Sequence, residues 1–275
     1  MATSILTKFK RARENIANWP AVILYALPIS RSAKLYFRQV SFQHDASPYK
    51  APITVTKHDQ TISFDYKNKN VKFYYDSLAQ LGNTGLLLKG AFFDKEYSQM
   101  DPNGEVLIDI GGNVGDTAVY FALEGASKVY MFEPFPYSCR IAEKNVAFNG
   151  LQDKVQIVNA GCGAKSLKVL IDPNFRNDGA SEIPVEAKDG VVVKMYTLDE
   201  IISEFKLESY ALKVDCEGCE VGLIRGASDA TLKKCKKFIM ESTAPDRETV
   251  VDRLKSLGFK ISIAEEHPVI VYAEQ

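Results

Sequence analysis

Histidine, cysteine and tryptophan are scarce in this chain of 275 residues, which contains three, five and one of them. The histidines, His44, His58 and His267, lie far apart in the sequence and are expected at the surface rather than in a metal site or a catalytic centre. Five is an odd number of cysteines for a disulfide framework. The count favours reduced thiols in a cytoplasmic protein over the paired cysteines of a secreted one.

The sequence has no long hydrophobic run. The longest apolar stretch near its start, WPAVILYALPI from Trp19 to Ile29, contains Pro20 and Pro28. It is too short to span a bilayer, which takes about 20 residues. The basic KFKRAR ahead of it gives it some likeness to a signal peptide, but no small-residue cleavage site follows. We expect a packed or surface-seated segment, with peripheral membrane contact through these basic residues as the alternative.

A large net charge is missing as well, since the formal net charge is −1, which argues against a general nucleic-acid binder. This near-balance hides an asymmetry: residues 1–100 carry a net charge of +7 and residues 101–275 a net charge of −8. The basic first third is compatible with an anionic partner surface. A solvated surface of mixed charge is the simpler interpretation.

The stretch DPNG at residues 101–104 is a clean break, and it divides the chain into an extension, 1–100, and a second domain, 101–275. The sequence of the extension predicts a basic helix followed by a β-meander, and this region is a candidate lid or substrate region. After the break, strands alternate with helices, which predicts an α/β fold with a mostly parallel, Rossmann-like sheet. The last residues predict an antiparallel hairpin that turns at residues 265–268.

The turn after the first strand of this sheet, LIDIGGNVGD, differs from a phosphate-binding turn. Counted from Gly111, the glycine pattern of dinucleotide-binding folds fails at Asn113 and at Asp116. Two carboxylates, Asp109 and Asp116, would also repel a phosphate. The same carboxylates would attract S-adenosylmethionine, because it is cationic and has no phosphate. Either carboxylate can hold its ammonium group, the second through water, while Gly111 and Gly115 let the backbone approach the ligand.

The ends of the next two strands fit the same ligand. Glu133 follows Gly115 by 18 residues, about one helix plus one strand, and a carboxylate there can accept both ribose hydroxyls. The NAG turn at residues 159–161 is placed to flank the adenine. The predicted cofactor-binding residues are therefore Asp109, Gly111, Gly112, Asn113, Gly115, Asp116, Thr117, Glu133, Pro134, Phe135, Asn159, Ala160, Gly161 and Asp215.

Three stretches, VLIDIGGNVGDTAVYFA, VYMFEPFP and LKVDCEGCEVGLIRGA, resemble the FkbM-type methyltransferases over about residues 90–260. That family's signature reads roughly D-x-G-A-N-x-G-D, then E-P, then L-K-I-D-x-E-G-x-E. Here Gly112 stands where alanine is common, and Cys216 and Cys219 replace an aliphatic residue and an alanine. The resemblance implies a class I methyltransferase sheet, S-adenosylmethionine as the cofactor, and O-methylation of a sugar or another hydroxylated small molecule.

Clustered acids follow the later strands. A hydroxyl acceptor benefits from a nearby base, and Asp215, Glu217 and Glu241 are the predicted catalytic or substrate-orienting residues. A divalent cation held by such carboxylates is an alternative, with no specific ligand set assigned. Lys213 is expected either to pack against a helix or to pair with an acid.

Two weaker signals accompany these acids. CEGC has the spacing of a redox or zinc motif, but no second pair follows, so incidental thiols are the expectation. Tyr75, Glu96 and Tyr97 precede the first strand and are candidate lid or substrate contacts.

Three functions compete at this point. The favoured one is an S-adenosylmethionine-dependent O-methyltransferase acting on a small hydroxylated substrate or a glycan. A non-catalytic S-adenosylmethionine-binding module is the first alternative. An NAD-dependent oxidoreductase is the second, and the incomplete glycine pattern together with Asp109 argues against it.

Overall fold

The computed structural model describes residues 52–56, 58–176, 190–242, 247–264 and 269–275. The predicted N-terminal helix, the apolar stretch at 19–29, His44, His267 and the hairpin turn at 265–268 lie outside the described residues. The chain divides into two compact units, Met1–Asp94 and Lys95–Gln275. The functional boundary predicted at residue 100 stays a prediction. Among the described helices, none is long and apolar enough to cross a membrane.

The first unit contains the predicted meander. Strands β1 (Thr54–Thr56), β2 (Thr61–Tyr66) and β3 (Lys69–Tyr74) form an antiparallel sheet in that order. Helix α1 (Leu78–Leu88) follows and continues into a π-helical turn, Lys89–Phe93. Alternate residues of β2 and β3 are buried, as a sheet with one covered face requires.

The second unit alternates strands and helices from residue 106 onward. Its elements are β4 (Val106–Ile110), α2 (Asp116–Leu123), β5 (Lys128–Phe132), α3 (Pro136–Phe148), β6 (Val155–Val158), β7 (Ala160–Cys162), β8 (Leu167–Ile171), β9 (Val191–Tyr196), α4 (Leu198–Glu204), β10 (Tyr210–Val214), α5 (Glu220–Gly226), α6 (Asp229–Leu232), β11 (Cys235–Glu241), α7 (Arg247–Ser256), β12 (Lys260–Ala264) and β13 (Ile270–Glu274).

Seven of these strands form the main sheet, in the order β12-β13-β11-β10-β4-β5-β6. Strands β11, β10, β4, β5 and β6 run parallel, and β13 pairs antiparallel with both β11 and β12. The predicted α/β class, the mostly parallel sheet and its antiparallel C-terminal hairpin are confirmed. Strand order reverses at β4, whose neighbours are β5 on one side and β10 on the other, and ligands bind at such switch points.

The stretch KVQIVNAGCG, residues 154–163, is divided between two sheets. Its first part is β6 of the main sheet, and its second part, β7, joins a separate sheet of order β7-β9-β8. The chain changes sheets at Asn159, whose side-chain amide donates to the carbonyl oxygens of Glu133 and Pro134 at 3.0 and 3.1 Å. An apolar periodicity does not reveal these side-chain hydrogen bonds.

Candidate functional site

The glycine turn, residues 111–115, lies between β4 and α2 and touches both neighbouring strand ends. The backbone N–H groups of Gly111 and Gly112 donate to the carbonyl oxygen of Phe132, at the end of β5. Gly111 has φ +78°, and a Cβ atom there would lie 1.9 Å from the carbonyl oxygen of Asp215, just after β10. Only glycine therefore fits this position, for both conformation and space.

Asp109 lies beneath this turn with no exposed surface, and Lys213 is its partner on the adjacent strand β10. The Lys213 Nζ atom is 3.0 Å from Asp109 Oδ1, and the Thr117 hydroxyl donates to Asp109 Oδ2 at 2.7 Å. Burial lowers the pKa of Lys213, but the carboxylates of Asp109, Asp215 and Asp116 outweigh it and raise that pKa above its usual value. Lys213 therefore pairs with an acid, which was one of its two predicted environments.

This pairing bears on the predicted ligand contacts. Asp109 already has an internal cation and a hydroxyl donor, so the structure does not bring its carboxylate to the surface of the site. Asp116, at the first position of α2, is also buried, and burial raises its pKa to about 7 although Lys213 opposes the shift. Lys213 contacts Asp109 directly, whereas it acts on Asp116 by lowering the pKa of that carboxyl.

Glu133 joins the glycine turn to the turn after β5. Its Oε2 atom accepts from the Asn113 backbone N–H at 2.9 Å, and its Oε1 atom accepts from the Phe135 backbone N–H at 3.0 Å. Burial raises the pKa of Glu133 to about 7, against the lowering effect of these two donors. The Asn159 amide contacts the carbonyl of the same residue. The structure thus brings together predicted residues from the ends of β4, β5 and β6.

The second group of acids lies at the ends of β10 and β11, which are neighbours in the sheet. The Asp215 side chain is 23% exposed; Tyr97 donates its hydroxyl to Asp215 Oδ2 at 3.4 Å, and Lys213 Nζ lies 3.8 Å from the same oxygen. Burial raises the pKa of Asp215. Burial also raises the pKa of Glu241, to about 8, and repulsion from Asp215, Glu96 and Glu217 adds to this shift. Asp215 and Glu241 therefore act as an electrostatically linked pair.

Glu220 organises the turn after Asp215. Glu220 is buried and accepts the backbone N–H groups of Cys216 and Gly218, both at 2.8 Å. Glu217 is exposed and has a left-handed backbone with φ +58°. Of the predicted catalytic acids, Asp215 and Glu241 are partly shielded from solvent, whereas Glu217 lies at the rim.

The two cysteines of this turn correct the prediction of reduced, incidental thiols. Cys216 and Cys219 form a disulfide, with their Cα atoms 5.6 Å apart. The tight turn around Gly218, which has φ +127°, brings the two side chains together, and such a contact does not follow from the cysteine count. Cys139, Cys162 and Cys235 are free and buried, and burial raises the pKa of each thiol well above its usual value.

Metal ligation gains no support from these acids. Within the part of the chain that the structure describes, no group of three or more His, Cys, Asp or Glu side chains is arranged to hold a metal ion. The divalent cation considered from the sequence therefore has no ligand set here.

Two contacts were missed or left open by the sequence. Lys213 links both strand ends, and its signal is a single lysine inside the otherwise apolar run YALKV. Tyr97 was a general lid or substrate candidate, and the structure places its hydroxyl on Asp215. Tyr75 belongs to the other unit, where its hydroxyl donates to the Thr56 carbonyl.

Comparison with known sequences gives a consistent result. The profile of the methyltransferase FkbM domain matches residues 109–261, more than half of the chain. Methyltransferase 1 of Beauveria bassiana is 23% identical over 201 residues, covering 64% of this chain and 80% of that protein. Methyltransferase sdnD of Sordaria araneosa is 22% identical over 214 residues, covering 64% and 82%. The AMB antimetabolite synthetase AmbE of Pseudomonas aeruginosa is 22% identical over 234 residues, which is 68% of this chain but 11% of AmbE.

Proposed function

This chain belongs to the methyltransferase FkbM domain family, and on that premise we propose that it transfers the methyl group of S-adenosylmethionine to a hydroxyl group of a small molecule or a glycan. The observation that carries the choice of a hydroxyl acceptor is the linked pair of Asp215 and Glu241. A hydroxyl is a poor nucleophile, and a base whose pKa lies near neutral pH activates it best.

The chemistry of the turn supports S-adenosylmethionine as the cofactor. Acids dominate the carboxyl end of the sheet, and Lys213, the single buried lysine among the described residues, is already paired with Asp109 and Asp215. This donor set suits a ligand that brings positive charge and no phosphate. Asp116 and the N–H groups at the start of α2 are proposed to hold the amino-acid end of the cofactor, and Glu133 its ribose.

The other predicted cofactor-binding residues lie around Glu133 and the glycine turn. Asn113 and Phe135 fix both carboxylate oxygens of Glu133 through their backbone N–H groups, and Asn159 fixes the carbonyl of Glu133. Thr117 and Asp109 form a buried pair behind the turn. We propose that these residues shape the site. Gly111, Gly112, Gly115, Pro134, Ala160 and Gly161 are proposed to contribute backbone and shape.

The proposed catalytic step uses the acids after β10 and β11. S-Adenosylmethionine, when bound, supplies an electrophilic methyl group. Glu241, whose pKa is about 8, is ionised in a large fraction of molecules at slightly alkaline pH and can accept the proton of the acceptor hydroxyl. Asp215, held by Tyr97 and Lys213, is proposed to orient that hydroxyl. Glu217, at the rim, is proposed to contact the remainder of the acceptor.

Calorimetry with S-adenosylmethionine and with NAD tests the cofactor first. We expect S-adenosylmethionine to bind, and the Glu133→Ala variant to lose at least about tenfold in affinity, because a carboxylate that accepts two hydroxyls contributes about 1.5–3 kcal/mol or more. NAD binding without S-adenosylmethionine binding would contradict the proposal. Release of S-adenosylhomocysteine in a screen of hydroxylated acceptors then tests turnover. Binding without turnover on any acceptor would favour a non-catalytic module.

A further inference from the structure

Lys213 is the buried cation of the second unit, and its position is unusual for a lysine. Its side chain is 1% exposed, and among the described residues it is the single Lys or Arg whose whole residue is buried. Lysine is almost never fully buried unless it is paired. Such a group is retained in a sheet only when several oxygen atoms compensate its lost hydration.

The oxygen atoms around Lys213 come from two segments of the chain, residues 109–111 and Asp215. Its Nζ atom lies 3.0 Å from the Asp109 carboxylate on β4 and 3.1 Å from the Gly111 carbonyl in the glycine turn. It also lies 3.5 Å from the Ile110 carbonyl and 3.8 Å from the Asp215 carboxylate after β10. A single ammonium group therefore connects the turn proposed for the cofactor with the acid proposed for the acceptor.

The two segments also touch each other directly. The carbonyl oxygen of Asp215 occupies the space where a side chain of Gly111 would begin, and the Asp215 backbone N–H donates to the Ile110 carbonyl. A small shift of either segment therefore moves the other. The ammonium of Lys213 lies at this junction and contacts oxygen atoms of both segments.

We propose that Lys213 is a positioning residue of the transferase site, which sets the glycine turn and Asp215 at the spacing that binds the cofactor beside the acceptor. This inference rests on the proposed function. Lys213 acts through Gly111 and Asp215 and contacts neither ligand. A simple charge argument gives the opposite expectation, since removing a cation beside the site would strengthen the binding of a cationic ligand.

The decisive variant removes the buried pair as a whole. Lys213→Met alone leaves the Asp109 carboxylate buried without its cation, which is strongly destabilising and would confuse misfolding with a loss of binding. The double variant Lys213→Met/Asp109→Asn removes both charges at similar volume, and replacing a buried ion pair in this way is often neutral for stability. Lys194→Met is the matched control, because Lys194 is a half-exposed lysine on β9 of the separate β7-β9-β8 sheet.

Calorimetry and the pH dependence of cofactor binding are then measured on the three proteins, with thermal unfolding as the test of folding. We expect the folded double variant to bind S-adenosylmethionine at least about tenfold more weakly, the effect of losing one hydrogen-bonded charge. We also expect the acidic limb of its binding profile to move to higher pH, because Lys213 lowers the pKa of both Asp116 and Asp215 more than Asp109 raises them. The Lys194→Met control should match the wild type.

Two results would overturn the proposal in different ways. Wild-type affinity, or tighter binding, in the folded double variant would show that Lys213 has a structural role or a purely electrostatic one. If the double variant does not fold, the milder Lys213→Arg variant serves instead: it keeps the charge but not the compact ammonium, and unchanged affinity and pH profile would refute positioning. Absence of binding in the wild type would overturn the proposed function itself.

Discussion

The turns after β4 and after β10 lie side by side at the carboxyl edge of the sheet, yet they treat their acids differently. Near the end of β4, just before its turn, the Asp109 carboxylate is fully buried and already bound by Lys213 and Thr117. After β10, Asp215 is partly exposed, and its close contacts are longer, at 3.4 Å from the Tyr97 hydroxyl and 3.8 Å from Lys213. The charge of Asp109 is compensated by a buried cation, whereas the Asp215 carboxylate is partly exposed and can contact a ligand.

This difference separates two tasks within one site. A buried ion pair fixes geometry, while a partly exposed carboxylate with a raised pKa can contact the acceptor. We therefore expect changes in the first turn to affect folding and cofactor binding, and changes beside the second turn to affect turnover.

Gly111→Ala should produce the largest effect, because it damages the first turn and displaces the second. An alanine there would be strained at φ +78°, and its Cβ atom would overlap the Asp215 carbonyl oxygen. Backbone strain and overpacking each cost about 1–3 kcal/mol. We expect a loss of about 3 kcal/mol in the free energy of unfolding and no measurable S-adenosylmethionine binding. Denaturant unfolding and calorimetry measure both.

Gly150→Ala is its matched control, since Gly150 also has a left-handed backbone, φ +64°, but open space where a Cβ atom would lie. It should lose about 1 kcal/mol, from conformation alone, and keep full cofactor affinity. Equal losses in the two variants would show that the contact between the turns is not tight.

Asp215→Asn should come next, and its effect should fall on turnover. The amide keeps the size of the side chain but loses the negative charge that orients the acceptor hydroxyl, so we expect kcat to fall about 100-fold with a smaller change in cofactor affinity. Tyr97→Phe, which removes the hydroxyl that contacts Asp215, should reduce kcat by less, about tenfold or below. A large loss of cofactor affinity in Asp215→Asn without loss of kcat would reverse the division of tasks.

The disulfide of the second turn should contribute a moderate amount. The Cys216→Ser/Cys219→Ser variant opens a loop with a sequence separation of three residues, so the chain-entropy estimate is only about 2 kcal/mol. Thermal unfolding of this variant, compared with wild-type protein with and without a dithiol reductant, measures it. Identical melting curves in all three samples would mean that the crosslink does not form in solution.

The smallest effect concerns pH. Asp116 and Glu133 have pKa values raised to about 7, and Glu241 has one raised to about 8. Since the folded protein holds these protons more tightly than the unfolded chain, their stabilising contribution is complete below the ordinary carboxyl pKa and is lost as pH rises to about 8. We expect the free energy of unfolding to fall by at least about 1.4 kcal/mol from pH 5 to pH 8, the equivalent of one pKa unit.

Asp116→Asn tests the source of that dependence. It removes one of the titrating groups, so the slope of stability against pH should become shallower. An unchanged slope would place the proton uptake elsewhere in the chain.

Much of the fold could be predicted because it depends on repeating patterns. The alternation of apolar strands with helices, the break at residues 101–104 and the acids at strand ends all follow from local chemistry. These signals gave the parallel sheet, the edge that bears the acids and the family. The division of residues 154–163 between two sheets could not be predicted, because it depends on tertiary contacts, among them those of the Asn159 amide.

The predicted membership of the site stays a prediction, and the pairings of its residues could not be predicted from the sequence. Sequence places Asp109 at the end of β4, but only the parallel register shows that Lys213 lies beside it on β10. The Cys216–Cys219 disulfide and the contact between Tyr97 and Asp215 likewise depend on turn geometry, and on a separation of 118 residues in the latter case. Contacts of this kind arise from tertiary packing, and no local pattern carries them.

Gly112 has a consequence for how this sequence can vary. An alanine at this position, common in the family signature, would place its Cβ atom 2.3 Å from Cγ of Met131, a fully buried residue of β5. The Met131 side chain therefore fills the space that a side chain at residue 112 would need. Which residue is tolerated at one of these positions depends on the residue at the other. Gly112→Ala is expected to be harmful in this background and tolerated once residue 131 is smaller, so neutral drift through this turn has to pass the two positions in a fixed order, with Met131 changing first.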